Sequence, residues 1–464
     1  MLVVGAVTSW AAVEHLLGNI KKIPGIFCTG SGCNRPSPGV SGDLNILLVG
    51  SDSRAGLTAA QQSALHVGHD PGQRSDTMIL LHIPRGGGKA ILISLPRDSY
   101  VTIPAHRDSS GRLIPASKNK LNAAYSIGGP KLTVATIEQN THVRIDHYVE
   151  INFLGFVKMV NALDGVTVCT PTPINDPVRY DPATGGKVGS GLRLARGRTK
   201  VNGTVALEYV RAREFDPSAD IGRIQRQQKF MSALVQKAES TGTLLNLPKL
   251  FDFLNAVTGS LRTDPGFGPS QMLRLARKLH NMSPQHVELL TVPLATTNGR
   301  ALIGGSYASV VEWDPVFAPQ LFADLTFDRP IDAADQGKSA KVTIPPSNVA
   351  VAVMNAAGKQ GLAGQVAADL SSIGFHIVRT GNAPAGSNPA TTVVQYGPAR
   401  ADSARTVAAA IPGARLQLDS ALGSGLRVLV GSDFHGVQRV VVASPGAHPS
   451  GGLQIRTASQ DVCT

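Results

Sequence analysis

A chain of 464 residues divides, at about 150 residues per domain, into roughly three folding units. Its residues are 42% hydrophobic and 16% charged, with 49 Gly and 30 Pro, a composition that excludes collagen, coiled coil, wholesale disorder and a polytopic membrane protein. With 44 Lys and Arg against 32 Asp and Glu the formal net charge is +12, which favours polyanions or an anionic surface without singling out nucleic acid.

The apolar run Leu2 to Val13 is shorter than the ~20 residues that span a bilayer, no basic residue precedes it, and Lys21 and Lys22 follow it. Residues 1–20 therefore read as the far end of a single-pass membrane anchor begun upstream of Met1, with the rest of the chain outside the cytoplasm. Residues 21–42 read as a linker. Within it Cys28 and Cys33 flank a Thr-Gly-Ser-Gly turn, which leaves open either a small disulfide in an oxidising compartment or two unpaired thiols. With Cys169 and Cys463 the cysteines number four, and their spacing contains no zinc-site pattern.

Asn45–Val49, Met78–Ile83 and Ala90–Leu95 are apolar runs of strand length, and the last two are joined by the hairpin signal Pro84-Arg85-Gly86-Gly87-Gly88-Lys89. Helical spacing over Leu132–Thr141 and Phe153–Ala162 brackets another strand at His147–Ile151, and helix-rich stretches run from Lys200 through Val210 and from Asp220 to Glu239. The first domain is expected over 43–330. After a linker at 331–346, the runs Val349–Val353, Gln365–Ile373, Thr391–Gln395, Ser403–Ala410 and Leu426–Gly431 read as strand-helix-strand-helix-strand. The expected fold is α/β: a mixed central sheet flanked by helices, a second, smaller α/β domain over 347–436, and a disordered tail over 437–464.

Polar residues concentrate at the strand ends. Asp52 and Arg54 follow the first strand, Arg74 and Asp76 precede the second, and Arg97 and Asp98 follow the third. If the second strand runs antiparallel to its neighbours, all three segments meet at one end of the sheet. Carboxylates held among arginines suit an oxygen-ligated divalent cation with phosphates clamped around it, whereas the plainer alternative is a set of solvated ion pairs worth little. Arg211 and Arg213 share a face of an extended stretch leaving a helix, and Arg223 and Gln227, four apart on the next helix, share another, with Arg226 one position round. His66 and His69, in a long loop between Asp52 and Asp76, are spaced His-x-x-His but stand alone, and are set aside.

The stretches Asn45-Ile-Leu-Leu-Val-Gly-Ser-Asp52-Ser-Arg54, Arg74-Ser-Asp76-Thr, Ser94-Leu-Pro-Arg97-Asp98, Lys120-Leu-Asn122-Ala-Ala-Tyr125, Tyr209-Val-Arg211-Ala-Arg213 and Arg223-Ile-Gln-Arg226-Gln227-Gln together resemble the LytR-CpsA-Psr family over Asp43 to Lys237. Residues 347–436, with Val353-Met-Asn355-Ala-Ala-Gly358, resemble the C-terminal domain often appended to that family. The resemblance implies a membrane-anchored extracytoplasmic phosphotransferase. It would move an anionic glycopolymer (teichoic-acid-like, capsular or arabinogalactan-type) from a polyprenyl-pyrophosphate carrier to peptidoglycan through a phosphodiester, with pyrophosphate hydrolysis as a side reaction. Carried over by position, Asp52 and Asp76 would hold Mg²⁺, and Arg74, Arg97, Arg211 and Arg213 would be catalytic. Those four arginines with Lys120, Asn122, Arg223 and Gln227 would bind the pyrophosphate, and apolar helices such as Phe153–Ala162 would line a pocket for the prenyl chain. Asp76 and Asp98 stand as alternatives for the group that deprotonates the acceptor hydroxyl.

Two rival readings are a non-catalytic binder of wall polymer or lipid pyrophosphate and a regulatory, attenuator-type protein. The chain has no defensible helix-turn-helix and no G-x-S-x-G, H-E-x-x-H or G-x-x-x-x-G-K-[ST], so nucleic acid is not an expected partner and other common enzyme classes lack their marks.

Overall fold

The computed structural model describes residues 20–30, 33–39, 42–54, 56–67, 75–181, 186–213, 215, 220–241, 253, 255–280, 283–315, 317–331, 344–387, 390–437, 440, 455–460 and 463. The chain forms two compact units, one from residues 1–292, 297–312 and 454–464, the other from 293–296 and 313–453. The helix Phe317–Thr326, which the sequence places in the first domain, belongs to the second unit, where Trp313 lies 5.4 Å from Phe322. Most of the expected anchor, residues 1–19, lies outside the described residues. Among the described ones no helix is long and apolar enough to cross a membrane.

The first unit is built on β1 (Lys21–Lys22), β2 (Leu44–Ser51), a short helix α1 (Ala59–Ala64), β3 (Ser75–Ile83), β4 (Ala90–Leu95), α2 (Leu121–Thr141), β5 (His147–Ile151), α3 (Phe153–Ala162), α4 (Gly203–Arg211), α5 (Asp220–Ser240), β6 (Leu261–Thr263) and β7 (Val287–Thr291). The large sheet runs β1-β6-β5-β2-β3-β4-β7 and ends on a terminal strand, Arg456–Thr457. β2 is parallel to β5, β4 is parallel to β7, and β3 is antiparallel to both β2 and β4, so the sheet is mixed as expected. Ile46, Leu47, Leu80, Ile83 and Ile93 are all 0% exposed, because these central strands are covered on both faces and read as unbroken apolar runs. Met231 and Val235 of α5 pack on one face against Ile46, Ile79 and Leu81, and α2 packs against β3.

Three departures from the sequence pattern have identifiable causes, one local and two long-range. α2 begins at Leu121 rather than Leu132, because Gly128-Gly129-Pro130 breaks its periodicity with a kink that the helix nevertheless bridges. The expected linker is tied down at several points: β1 pairs with β6, Cys28 is bonded to Cys33, and Arg35 forks onto the buried Glu138 at 2.6 Å. Of the tail expected to be disordered, 437–464, residues 438–439, 441–454, 461–462 and 464 lie outside the described residues, while 455–460 and 463 are held by the first unit. Arg456–Thr457 pairs with β7, Gln236 of α5 donates to the Ala458 carbonyl, and Cys463 is disulfide-bonded to Cys169.

The second unit has a five-stranded sheet, β9-β8-β12-β10-β11, from β8 (Ala350–Asn355), β9 (His376–Asn382), β10 (Val393–Tyr396), β11 (Arg415–Leu418) and β12 (Leu426–Val430), with helices α6 (Leu362–Ser372) and α7 (Ala401–Ala410). The edge strands β9 and β11 are additions to the sequence reading. Every residue of β11 is exposed, so no buried apolar run marks it.

α4 starts hard against α3. Gly203 is the first residue of α4, its N–H is taken by Asn161 Oδ1 at 2.8 Å, and a Cβ there would overlap the Val157 carbonyl. Gly203→Ala is expected to cost about 1–3 kcal/mol through overpacking. A thermal melt of the variant checks this, and an unchanged midpoint would mean the two helices part without cost.

Candidate functional site

Because β3 runs against β2 and β4, the end of β2, the start of β3 and the end of β4 share one edge of the sheet. A bulge between Gly50 and Ser51 turns the chain at that edge, and Ser51 Oγ is anchored on Glu150 Oε1 at 3.2 Å just before Asp52. Asp76 and Arg97 meet there, with Arg97 Nη1 2.6 Å from Asp76 Oδ1 and side chains 32% and 18% exposed, so this is not a fully solvated surface pair. Asp98 accepts from Arg97 Nε at 3.3 Å and from Lys120 Nζ at 2.9 Å. The first turn of α2 holds the same segment, since Asn122 N–H donates to the Arg97 carbonyl and Leu121 N–H to that of Ser99.

The second half of the site comes from α4 and α5. Arg211 is the last residue of α4, where a cation complements the helix C-terminus. Its Nη1 donates to the Leu65 carbonyl at 3.0 Å and its guanidinium lies 5.2 Å from the Phe153 ring centroid. The segment after it is gripped from α5: Gln227 Nε2 donates to the Val210 carbonyl at 3.2 Å, and Arg226 Nη2 donates to the Ala212 carbonyl. Arg226, placed one position round in the sequence, thus serves to hold the turn between Arg211 and Arg213.

These elements surround an open cavity of about 1300 Å³. Asp76, Arg97, Arg211, Arg213, Arg223 and Gln227 line it, together with Arg54 and His66, and its apolar wall includes Phe153, Phe156 and Met159 of α3 and Phe230, Met231 and Leu234 of α5. Lys120 and Asn122 lie outside that lining, Lys120 bonding to Asp98 and Asn122 to the Arg97 backbone. Arg74 lies outside the described residues, as does His69. Burial would raise the Asp76 carboxyl, but Arg97, Arg223 and Arg211 outweigh it and hold the group below its usual range. Burial pushes Arg211 down, opposed chiefly by Asp76 and Glu208, with Asp52 also within electrostatic reach.

Asp52, which lies outside the cavity lining, and Asp76 both act electrostatically on Arg211, and Asp76 is held ionised. No group of three or more His, Cys, Asp or Glu suited to a metal occurs among the described residues. Two carboxylates fit Mg²⁺, which keeps several waters and completes its shell with phosphate oxygens. Asp76 and Asp98 are both already neutralised by cations, so each is a weak candidate for taking a proton. Sequence reasoning set His66 aside with His69 and missed Glu208, since a lone histidine pair on a loop and a single helical glutamate carry no distinguishing pattern.

Residues 31–313 match the model of the LytR_cpsA_psr family, and residues 348–434 match that of the LytR cell envelope-related transcriptional attenuator domain. The chain is 30% identical to the cell wall biosynthesis protein LcpA of Corynebacterium glutamicum over 438 residues, 88% of this chain and 81% of that protein. It is 32% identical over 202 residues to a polyisoprenyl-teichoic acid–peptidoglycan teichoic acid transferase, TagU, of Enterococcus faecalis, covering 44% of this chain and 58% of that one. The crystal structure of B. subtilis TagV superposes with a TM-score of 0.46 at 23% identity, covering 62% of this chain and 98% of that chain.

Proposed function

The chain belongs to the LytR-CpsA-Psr family, and from that premise we propose that it is a phosphotransferase that moves an anionic glycopolymer from a polyprenyl-pyrophosphate carrier to peptidoglycan. One observation carries this reading: a single cavity sets Asp76 among Arg97, Arg211 and Arg223 and continues into aromatic and aliphatic walls. A pyrophosphate with a prenyl tail has that duality. Its charged end pairs with guanidinium forks and its hydrocarbon end is driven onto apolar surface.

Phosphoryl transfer asks little of a protein beyond alignment and charge stabilisation. Arg97, Arg211, Arg213 and Arg223 would clamp the phosphate oxygens, with Arg74 as a further candidate. Gln227, Arg226 and the first turn of α2 fix the backbone that aims Arg97, Arg211 and Arg213. Mg²⁺, held by Asp52 and Asp76, would neutralise phosphate charge at the same place. Water entering in place of the acceptor hydroxyl gives pyrophosphate hydrolysis as a side reaction. The catalytic unit is read as extracytoplasmic and membrane-anchored, a setting that suits two disulfides.

The test is turnover of a synthetic polyprenyl-pyrophosphate glycan by the full chain, with a peptidoglycan oligomer as acceptor, with and without Mg²⁺. Tight lipid binding with no turnover under any condition would favour a non-catalytic binder instead. Asp76→Asn is expected to raise the Mg²⁺ concentration for half-maximal rate about tenfold or more, as loss of a direct charged ligand should. An unchanged Mg²⁺ titration would remove Asp76 from the metal site.

A further inference from the structure

With both carboxylates near Arg97 committed to cations, the group that takes the acceptor's proton has to be sought elsewhere on the cavity wall. His66 is there. It adopts a left-handed backbone, φ 50°, which is uncommon outside glycine and needs support from its surroundings. That support is present: Arg211 Nη1 and Nη2 donate to the carbonyls of Leu65 and His66, at 3.0 and 3.4 Å. The ring rests where Gly191 has no side chain, and a Cβ at Gly191 would stand 2.5 Å from His66 Nδ1. On the same side Glu208 Oε1 lies 3.5 Å from Nδ1, its side chain 12% exposed against 40% for His66.

We propose that His66 is the general base of the transfer reaction and that Glu208 is its positioning residue, an assignment that rests on the phosphotransferase reading above. A carboxylate at Nδ1 selects the tautomer with its proton on that nitrogen and leaves Nε2 unprotonated. A separation of 3.5 Å is long for this contact, as such contacts are before substrate closes the site. In the step, the acceptor hydroxyl oxygen bonds to the glycan-bearing phosphorus and the bridging P–O bond breaks. The prenyl phosphate departs with the electron pair, and the hydroxyl proton passes to Nε2 and then to solvent. The sequence separates the parts by more than 140 residues, and α4 unites them, because one turn of helix spaces Glu208 and Arg211 onto the same side.

The charged groups around the imidazole are Glu208 and Arg211 from α4, Arg54 on the cavity wall, and Asp176, whose carboxylate and carbonyl hold the Ser190–Gly191 backbone. Burial raises the Glu208 carboxyl while His66 and Arg211 pull it back.

The experiment compares the full wild-type chain with His66→Asn, His66→Gln and Glu208→Gln. It measures transfer to a peptidoglycan oligomer across pH, direct binding of the polyprenyl-pyrophosphate glycan, and thermal melting. Asn tolerates the left-handed backbone but takes no proton, so His66→Asn is expected to lose about 10²–10⁴-fold in kcat, with lipid affinity within about threefold and an unshifted melt. Glu208→Gln is expected to lower kcat with KM and the melt nearly unchanged, a split that a merely structural glutamate would not produce. Near wild-type kcat and an unmoved acid limb in His66→Asn, beside an active wild type, would overturn the base assignment and leave the phosphotransferase reading intact. Absence of turnover by the wild type at every pH and Mg²⁺ concentration would overturn both.

Discussion

Arg97→Ala is expected to lower polymer transfer by about 10²–10³-fold or more while leaving the melting temperature nearly unchanged, because the two consequences of the substitution differ in size. Loss of a fixed donor at a developing phosphate charge costs about 2.7–4 kcal/mol of transition-state stabilisation. The ion pair that is lost is partly exposed, at 18% and 32%, and pairs of that kind contribute about 0–1 kcal/mol to stability. Its partners are also not abandoned: Asp98 keeps Lys120, and Asp76 keeps the pull of Arg223 and Arg211. Transfer assays on the purified full chain beside a thermal melt decide the matter. A drop of many degrees with near-normal turnover would make Arg97 a structural residue.

Cys463→Ser is expected to produce the largest loss of stability. The Cys169–Cys463 bond closes a loop across 294 residues, and the chain-entropy account assigns a closure of that length about 5–6 kcal/mol, with about 2–5 kcal/mol usual when a native disulfide is removed. Cys169 is 4% exposed in the cluster formed by Val166, Val168, Tyr209 and Phe230, so the bond fastens the tail to the core beneath α4 and α5. Those helices carry Arg211, Arg223 and Gln227, and Gln236 of α5 donates to the tail carbonyls of Ala458 and Gln460. Denaturant titration checks this. Reduced wild type, which opens both disulfides, should fall slightly below Cys463→Ser, while Cys28→Ser, which opens only a five-residue separation, should cost less. Equal midpoints for wild type and Cys463→Ser would mean the tail is a passive passenger.

The sequence alone determined the parts whose chemistry is local. The strands β2, β3 and β4 are legible because central strands of a covered sheet must be apolar on both faces, and Phe153–Ala162 and His147–Ile151 fall where periodicity puts them. The same local reading put Asp76 and Arg97 at one edge, since a short hairpin between β3 and β4 leaves the chain no choice but to run antiparallel. Where a local signal was absent or interrupted, legibility stopped: Gly128-Gly129-Pro130 hid half of α2, and the exposed edge strand β11 gave no apolar run.

Tertiary structure alone decided the long-range facts. The tail is captured by a partner 294 residues away, Lys120 meets Asp98, Arg226 and Gln227 grip the turn that carries Arg211 and Arg213, and His66 meets Glu208. No periodicity encodes these contacts. Each depends on which elements pack side by side, and closing a long chain segment carries an entropy cost that only the sum of packed contacts across the finished fold can offset.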